Sequence, residues 1–583
     1  MRIKSIKIKS GQSIDLGPFT VLVGPNNVGK SQTLRDINSK ISGGRDARSI
    51  LVNQIVVDKP TTFDDLFRGL LVIDHPTHMN HKLVRGITSN LLSGDEFAFQ
   101  SPSFEQQFAH SQDGAFLLGG IGKFRVAFLD ASSRLLVAST TSAFNPHTSA
   151  PQHLLQVLFH AGKKLEDQLR EAFKKTFGMD IKLDYSGMTQ LYLRVTKLFP
   201  PIPDDPREAF PIMKDFSQLD TQGDGFRSFV GVILSLLLSE GRIILLDEPE
   251  AFLHPAQARQ LGQWIGDFVK KSESQIIVAT HNSNFLTGIL ASNTNVDIFR
   301  LNRHDDVTTY HEIKSEAISR LTKSPLLSSQ SVLDSVFHKG VVVCEADSDR
   351  TIYQTVALRE FGNQTTLFIH AQSKQTVKDV VGLLRDATIP VCAIVDIDIL
   401  NSHEELESLL NALTDSPHHV ELLNLRDKIA KEIEGRPDSE IIKNLQAEIS
   451  NFLNQLQHGE HTLAGARSAI RRIDSTISKW FDIKKRGLDA FGLSRSDAET
   501  IIRESKKIGL FIVPVGELES WIDVGTRQKK KWIVLALEQL FDGKCPAPLK
   551  DFMREILLFL GDLTLNKEQT NEIAITTSPK IEH

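Results

Sequence analysis

The chain has 583 residues, a net charge of −5, 40% hydrophobic and 24% charged residues, a composition ordinary for folded protein and long enough for roughly two to four domains. That charge excludes a uniformly basic nucleic-acid coat but not a local basic groove, since fields act within a Debye length of about 10 Å. No apolar run reaches the ~18 residues needed to cross a bilayer, and the odd set Cys344, Cys392 and Cys545 fits neither a zinc pattern nor a disulfide framework, so no membrane partner and a reducing cytoplasmic location are expected.

Residues 1–9 alternate apolar and charged side chains, a strand pattern and not a signal peptide. Two strands are expected within residues 1–23, the second being Phe19–Val23. It runs into the loop GPNNVGKS at 24–31, and a helix carrying Leu34 and Ile37 on one face follows from Lys30. Residues 40–220 are a weaker mix, with one helical stretch marked by Leu154, Leu155, Val157, Leu158, Leu165, Leu169 and Phe173. Pro200, Pro201, Pro203 and Pro206 make a loop. Residues 229–238 read as a buried helix, and 243–246 and 275–279 as buried parallel strands. Residues 315–335 read as a linking helix and loop.

A second strand–helix series begins at Gly340, with strands at 341–343, 367–369, 391–395 and 510–513. The apolar runs around Cys344 and Cys392 make buried thiols the default there. Between Asp398 and Leu510 the pattern turns helical. Leu422, Leu425, Ile429 and Ile433 form one stripe, and Ile442, Leu445, Ile449, Phe452 and Leu456 form another beyond the turn Gly435-Arg436-Pro437. These read as an antiparallel helical hairpin inside an insertion at 402–505. The fold class expected is α/β.

A strand, then G-x-x-x-x-G-K-S, then a helix is the setting of a phosphate-binding loop. Gly24, Asn26, Asn27 and Gly29 let backbone N–H groups wrap the phosphates of ATP at a helix N-terminus. Lys30 would reach the β- and γ-phosphates, and Ser31 would bind magnesium. Asp247 ends an apolar strand, as an acid must to meet the magnesium shell, and Glu248 could polarise the attacking water. His281 ends the next strand, where it either contacts the γ-phosphate or caps the following helix.

Here the chain resembles the ABC-type ATPases of the SMC, RecF and OLD kind, through GPNNVGKS, LLDEPEAFLHP, ATHNSNF and a signature-like stretch Gln222-Gly223-Asp224-Gly225-Phe226-Arg227-Ser228. In that superfamily the signature of one head meets the P-loop of another. The resemblance therefore implies a nucleotide contact for Gly225 and a homodimer or larger even homo-oligomer. The stretch departs from the usual LSGGQ, and the 216 residues between Lys30 and Asp247 are too few for long coiled-coil arms.

Glu345 follows one strand, and Asp396 and Asp398 end another. Residues i and i+2 of a strand face the same way, so both aspartates present carboxylates to one side. Such hard oxygen ligands suit Mg²⁺ or Mn²⁺, although acids at strand ends are also commonly just solvated. Glu-then-Asp-x-Asp on successive strands resembles a TOPRIM domain. That resemblance implies Asp349 as a second acid in the run Glu345-Ala346-Asp347-Ser348-Asp349, where Ala346 replaces the family's glycine. It aligns Ser373-Lys374 with the family's Gly-Lys. It makes Glu517, then Glu519, the candidates for a second metal, with one of Lys529, Lys530 and Lys531 (Lys530 is taken here) stabilising transition-state charge unless the three simply form a solvated basic face.

Two such metals imply phosphodiester hydrolysis without a covalent intermediate. A topoisomerase would need a nucleophilic tyrosine in its own domain, which Tyr185, Tyr192, Tyr310 and Tyr353 do not supply. Residues 467–507 carry eleven Lys and Arg against six Asp and Glu, among them Arg467, Arg471, Arg472, Lys484, Lys485 and Arg486. They are either a sequence-blind DNA contact or an exposed helix face.

End to end, the chain resembles the OLD-family ATP-dependent endonucleases, with a layout similar to the Gabija nuclease subunit and retron-associated OLD effectors. The resemblance implies an ABC-type ATPase domain at 1–315, a linker at 316–338 and a TOPRIM nuclease at 339–583. It implies ATP and Mg²⁺ or Mn²⁺ as cofactors and DNA as substrate. The expected role is antiphage defence beside a partner such as a reverse transcriptase with its non-coding RNA, or a helicase. A non-cleaving, DNA-binding structural ATPase and a repair nuclease are the alternatives.

Overall fold

In this computed structural model the residues described are 1–145, 148–314, 317, 330–371, 374–415, 419–457, 462–475 and 478–561. They fall into two compact units, Met1–Phe337 and His338–His583. Most of the sequence linker at 316–338 lies outside the described residues, as does Ser373.

In the first unit a sheet of six strands runs in the order Val307–Ile313, Asp297–His304, Phe19–Val23, Gln275–Ala279, Ile243–Asp247, Val126–Leu129. All neighbours pair parallel except the 297–304/307–313 hairpin at one edge. The three central strands are buried along their whole length. This explains their unbroken apolar runs: a parallel strand covered on both faces has no solvent side to make polar. The Asp224–Leu237 helix is buried from Ser228 onward, as its uninterrupted apolar stretch required. The N-terminal segment forms three strands, Arg2–Ile8, Ser13–Asp15 and Phe19–Val23, because the turn around Gly11 (φ +92°) folds the middle one back on the first. The helical stretch expected from Leu154 to Phe173 is two helices, Leu154–Ala161 and Lys163–Phe177, broken at Gly162, whose φ of +89° no continuous helix accommodates. A satellite cluster of Phe99, Phe108, Phe124 and partly buried phenylalanines packs the insertion between the first two sheet strands.

In the second unit four parallel strands lie in the order Thr366–His370, Gly340–Cys344, Val391–Val395, Leu510–Ile512. Their core includes Phe511, Tyr353, Trp521 and Trp532. Both tryptophans satisfy their N–H groups, Trp521 on the Tyr353 hydroxyl at 3.1 Å and Trp532 on the Ile522 carbonyl at 2.9 Å. Cys344 and Cys392 are buried free thiols in two of these strands. The helices of 402–507 interrupt the chain between two hydrogen-bonded neighbour strands. The expected pairing within them is different. Helix His419–Glu434 buries Leu422, Ile429 and Ile433 against His403–Leu413 and Arg495–Lys507, while Asp438–Gln457 packs with Leu463–Ser475. With the first stripe already covered, the second keeps Ile442 52% and Leu456 43% exposed. No helix among the described residues is long and apolar enough to cross a membrane.

Helices Pro255–Val269 and Ser283–Ala291 touch backbone to backbone. A Cβ on Gly262 would lie 2.2 Å from the Phe285 carbonyl oxygen, and one on Gly288 2.0 Å from that of Arg259. Gly288→Val should therefore force the pair apart and cost about 1–3 kcal/mol of stability, as overpacking does, measured by urea unfolding.

Candidate functional site

The glycine-rich loop 24–31 is built on backbone that only small residues permit. Gly24 has φ +135° and a Cβ there would sit 2.5 Å from the Leu301 carbonyl oxygen. Gly29 has φ +104°, and Asn27 (φ 64°) takes the left-handed region that asparagine tolerates. Lys30 is buried and donates to the Gly24 and Pro25 carbonyls at 2.7 and 2.8 Å. Its ammonium thus holds the loop closed. Burial lowers its pKa to about 8, against the pull of Glu248, Asp247 and Glu250.

The Ser31 hydroxyl donates to Asp247 Oδ1 at 2.7 Å, joining the loop to the end of the central strand. Burial raises the Asp247 carboxyl, and the Ser31 bond opposes that rise. Glu248 turns out of the strand with φ 49° and pairs through Oε1 with His281 Nδ1 at 2.8 Å. The bond holds the glutamate below and the imidazole above their ordinary pKa values. His281 does not cap the next helix: Asn282 does, accepting from the N–H groups of Asn284 and Phe285. Gly225 sits in the first turn of the Asp224–Leu237 helix, where a Cβ would lie 2.9 Å from the Phe252 carbonyl oxygen. It is outside the hydrogen-bonded set of Lys30, Ser31, Asp247, Glu248 and His281 in this single chain.

Two residues missed from the sequence complete this edge. Glu250 is buried and accepts from the Thr280 hydroxyl at 2.6 Å. Its place in the run Asp247-Glu248-Pro249-Glu250 was a usable signal. Arg134 donates to the carbonyls of Asp247 and Glu248 from 113 and 114 positions away, and no local pattern announces that.

In the second unit the acids gather at the C-terminal ends of the parallel strands. Glu345 follows Gly340–Cys344 and accepts from the Asp396 N–H through Oε1 at 3.1 Å. Asp396 follows Val391–Val395, but Asp398 lies in the 3-10 helix Ile397–Asn401, so the expected i, i+2 strand pairing of the two carboxylates does not hold and the turn brings Asp398 in instead. Its carboxyl is pushed well above the ordinary range, by burial first and then by Glu345, Asp398 and Asp349. Asp349, on helix Asp347–Phe361, is raised by burial, and Lys529 opposes the rise. Glu517 is raised by burial and by Glu519.

The counter-charge is Lys484, 2.8 Å from Asp398 Oδ2. Loss of hydration works against its ammonium, but Asp398, Asp396 and Glu517 together hold its pKa above the ordinary value. Its place depends on two glycines. A Cβ on Gly516 (φ +111°) would lie 2.2 Å from the Lys484 carbonyl oxygen, and one on Gly487 (φ +59°) 2.1 Å from that of Pro514. Lys484 thus belongs to the acidic cluster, whereas sequence reasoning grouped it with a basic stretch. Lys529, Lys530 and Lys531 are exposed at the start of helix Lys529–Phe541. Of the three, Lys529 acts on Asp349. Arg467 is exposed, and the side chains of Lys374, Arg471 and Arg472 lie outside the described residues.

As the side chains stand, no three His, Cys, Asp or Glu groups among the described residues form a metal-ligating set. The donor chemistry nonetheless suits a hard cation. Asp396 is pressed by three like charges, and Lys484 is the cation that relieves it.

Residues 190–287 match the protein family described as "AAA domain, putative AbiEii toxin, Type IV TA system". The Old nuclease of Escherichia phage P2 is 23% identical over 365 residues, covering 56% of this chain and 57% of its own length. The chain thus spans little more than half of the curated relative it matches. The family match spans Asp247, Glu248 and His281, and it lies wholly within the first unit. Among solved structures, an SMC head bound to the C-winged helix domain of ScpA is 14% identical with a TM-score of 0.35, over 55% of this chain and 100% of that one. The SMC head domain from Thermotoga maritima is 14% identical with a TM-score of 0.28, over 54% and 100%. At such TM-scores the likeness carries no argument.

Glu250 makes a pH-dependent contribution with a definite sign. Burial raises its carboxyl from 4.5 to about 7. Between those values the folded protein holds the proton more tightly than the unfolded chain. Glu250's contribution to stability is therefore greatest below the unfolded value, falls as pH rises through the window and levels off above it. Glu250→Gln should flatten that part of the curve in unfolding free energies measured against pH.

Proposed function

We propose that this chain is an ATP-regulated, divalent-metal-dependent DNA endonuclease or nickase. It would pair an ABC-type ATPase at 1–315 with a TOPRIM nuclease at 339–583, joined by the linker 316–338. The observation that carries the nuclease half is the crowding of Glu345, Asp349 and Asp398 around the buried Asp396 at the ends of adjacent parallel strands. Crowded like charges held out of water are costly unless a cation is expected there. Support for the family comes from the Old nuclease match, and for the nucleotide half from the AAA match across Asp247, Glu248 and His281.

Glu345, Asp349, Asp396, Asp398, Glu517 and Glu519 are the residues that would hold Mg²⁺ or Mn²⁺. Such cations, when bound, polarise phosphodiester oxygens and supply nucleophilic water at neutral pH. Lys484 and Lys529 put protein cations at the rim of the acids, where they attract a phosphate and limit repulsion of the DNA backbone by the carboxylates. In the nucleotide half, Lys30 leaves its two loop carbonyls for the phosphates of ATP. Ser31 and Asp247, hydrogen-bonded to each other here, would hold the magnesium that accompanies the nucleotide. Glu248, kept ionised by His281, takes the proton of the attacking water. Gly225 belongs to the signature that meets a second copy's P-loop, so a homodimer or larger even assembly is part of the proposal. The role in antiphage defence, with a reverse transcriptase or helicase partner, rests on the family resemblance.

One observation favours a second reading, a non-cleaving structural ATPase: Lys484 already neutralises Asp398, and the acids stand outside ligating geometry. Plasmid nicking with Mg²⁺ or Mn²⁺, with and without ATP, separates the two. Asp396→Asn should lower cleavage at least about 100-fold while ATP affinity is unchanged, as expected for loss of a group acting in the transition state. Cleavage by that variant at the wild-type rate sinks the metal assignment. Lys30→Ala should weaken ATP binding about tenfold or more, on the scale of a lost charge-assisted contact to phosphate, read by fluorescent-nucleotide titration. Lys484→Met should tighten Mn²⁺ binding about tenfold in calorimetry, the effect of removing one unit of competing charge interaction.

A further inference from the structure

Arg134 lies in the six-residue helix Ala131–Leu136, 113 and 114 positions before the two residues whose carbonyls it touches. Its side chain is fully buried. A buried guanidinium is costly unless its donors are used. Yet Nε and Nη2 find no hydrogen-bond partner among the described residues, and neither does Glu250 Oε2. Nη1 alone is engaged, donating to the Asp247 carbonyl at 2.7 Å and the Glu248 carbonyl at 2.5 Å. Glu250 is the strongest opposite charge acting on it, so the pair balances charge without closing a hydrogen-bonded salt bridge.

The carbonyls it grips belong to an unusual piece of backbone. Glu248 has φ 49°, a left-handed conformation that a glutamate takes at a cost of about 1–3 kcal/mol unless its surroundings impose it. The Glu248 N–H is held by the Ala279 carbonyl at 2.8 Å, and its carbonyl accepts both Arg134 Nη1 and the Ala251 N–H. That turn aims the Glu248 carboxylate at His281.

Arg134 is itself placed from two sides. Asp130 caps its helix, accepting from the Ser132 and Ser133 N–H groups. The Asp224–Leu237 helix lies against it: Arg227 Nη2 donates to the Leu135 carbonyl at 3.1 Å, and a Cβ on Gly231 would be 2.3 Å from the Arg134 carbonyl oxygen. The helix that carries the signature-like stretch therefore bears on the residue that holds the strand-end acids.

We propose that Arg134 is a positioning residue of the nucleotide site: by clamping the Asp247 and Glu248 carbonyls it holds Glu248 in the left-handed turn that points its carboxylate at His281, and it passes the position of the signature helix to that turn. This rests on the ATPase reading given above. It assigns Arg134 a part in turnover, not in nucleotide affinity, because its contacts are to backbone behind the acids and not to the phosphate loop.

The test uses the full-length protein and four readouts: Kd for a fluorescent ATP analogue, ATP turnover, melting temperature, and backbone hydrogen exchange in residues 246–253. Arg134→Met should change Kd by less than about threefold and lower kcat about 100-fold, the scale of a small misplacement of a reacting group. It should also speed exchange in 246–253. Arg134→Lys, which keeps a cationic hydrogen-bond donor on a shorter and non-planar head, should recover part of the turnover. Arg134→Met removes a positive charge that faces the buried Glu250 and lowers stability for that reason alone, so Arg134→Met/Glu250→Gln is the deciding variant. It should recover the melting temperature while turnover stays low and exchange stays fast. Wild-type turnover in the double variant would show Arg134 to be a charge balance only and overturn the proposal, as would equal losses of affinity and turnover in Arg134→Met. Should the wild-type protein hydrolyse no ATP, the ATPase reading fails on its own. Exchange in 246–253 then still decides whether Arg134 holds the turn, and an unchanged pattern rejects it.

Discussion

Negative charge kept out of water at the ends of parallel strands is the constraint on which both units turn. A parallel sheet directs the C-terminal ends of its strands to one edge, where loops can bring side chains together. In the first unit that edge carries Asp247, Glu248 and Glu250; in the second it carries Glu345, Asp396 and Asp398. Carboxylates so placed lose hydration, and their mutual repulsion adds to that loss. Each edge answers with buried or half-buried cations: Lys30 and Arg134 in one, Lys484 in the other.

These cations reach their places only because backbone comes unusually close to backbone. Gly24 lies against the Leu301 carbonyl, Gly231 against that of Arg134, and Gly516 against that of Lys484. Any side chain at these points would push the elements apart and move a charge away from its partner. The glycines thus act on the electrostatics of the sites through packing. Lys30 and Lys484 have one property in common: each ammonium donates to protein oxygens of its own unit.

The legible part of the chain was the part written in local pattern. The loop 24–31, the acids after Leu246 and the acids following Val395 were visible as short motifs attached to buried strands, but the strand rule misplaced Asp398, which a 3-10 helix carries. The strands themselves were visible because burial on both faces removes polar residues from them. Helix 229–238 was visible for the same reason. Where a pattern left several packings open, reading failed. The stripe at 442–456 announced a helix but not its partner, and the run from Leu154 to Phe173 hid the break at Gly162, since one glycine does not disturb an apolar period.

From the sequence alone followed the α/β class, the two strand–helix series and the identity of most acids at both edges, since those properties depend on neighbours within a few positions. The tertiary structure alone decided which cation meets which acid. Arg134 lies more than a hundred positions from Asp247, and Lys484 lies 86 from Asp398 in a stretch whose charge suggested a different partner. Coulomb attraction and hydrogen bonding act across space, and the chain order holds no record of a distance until the strands and glycine contacts have set it.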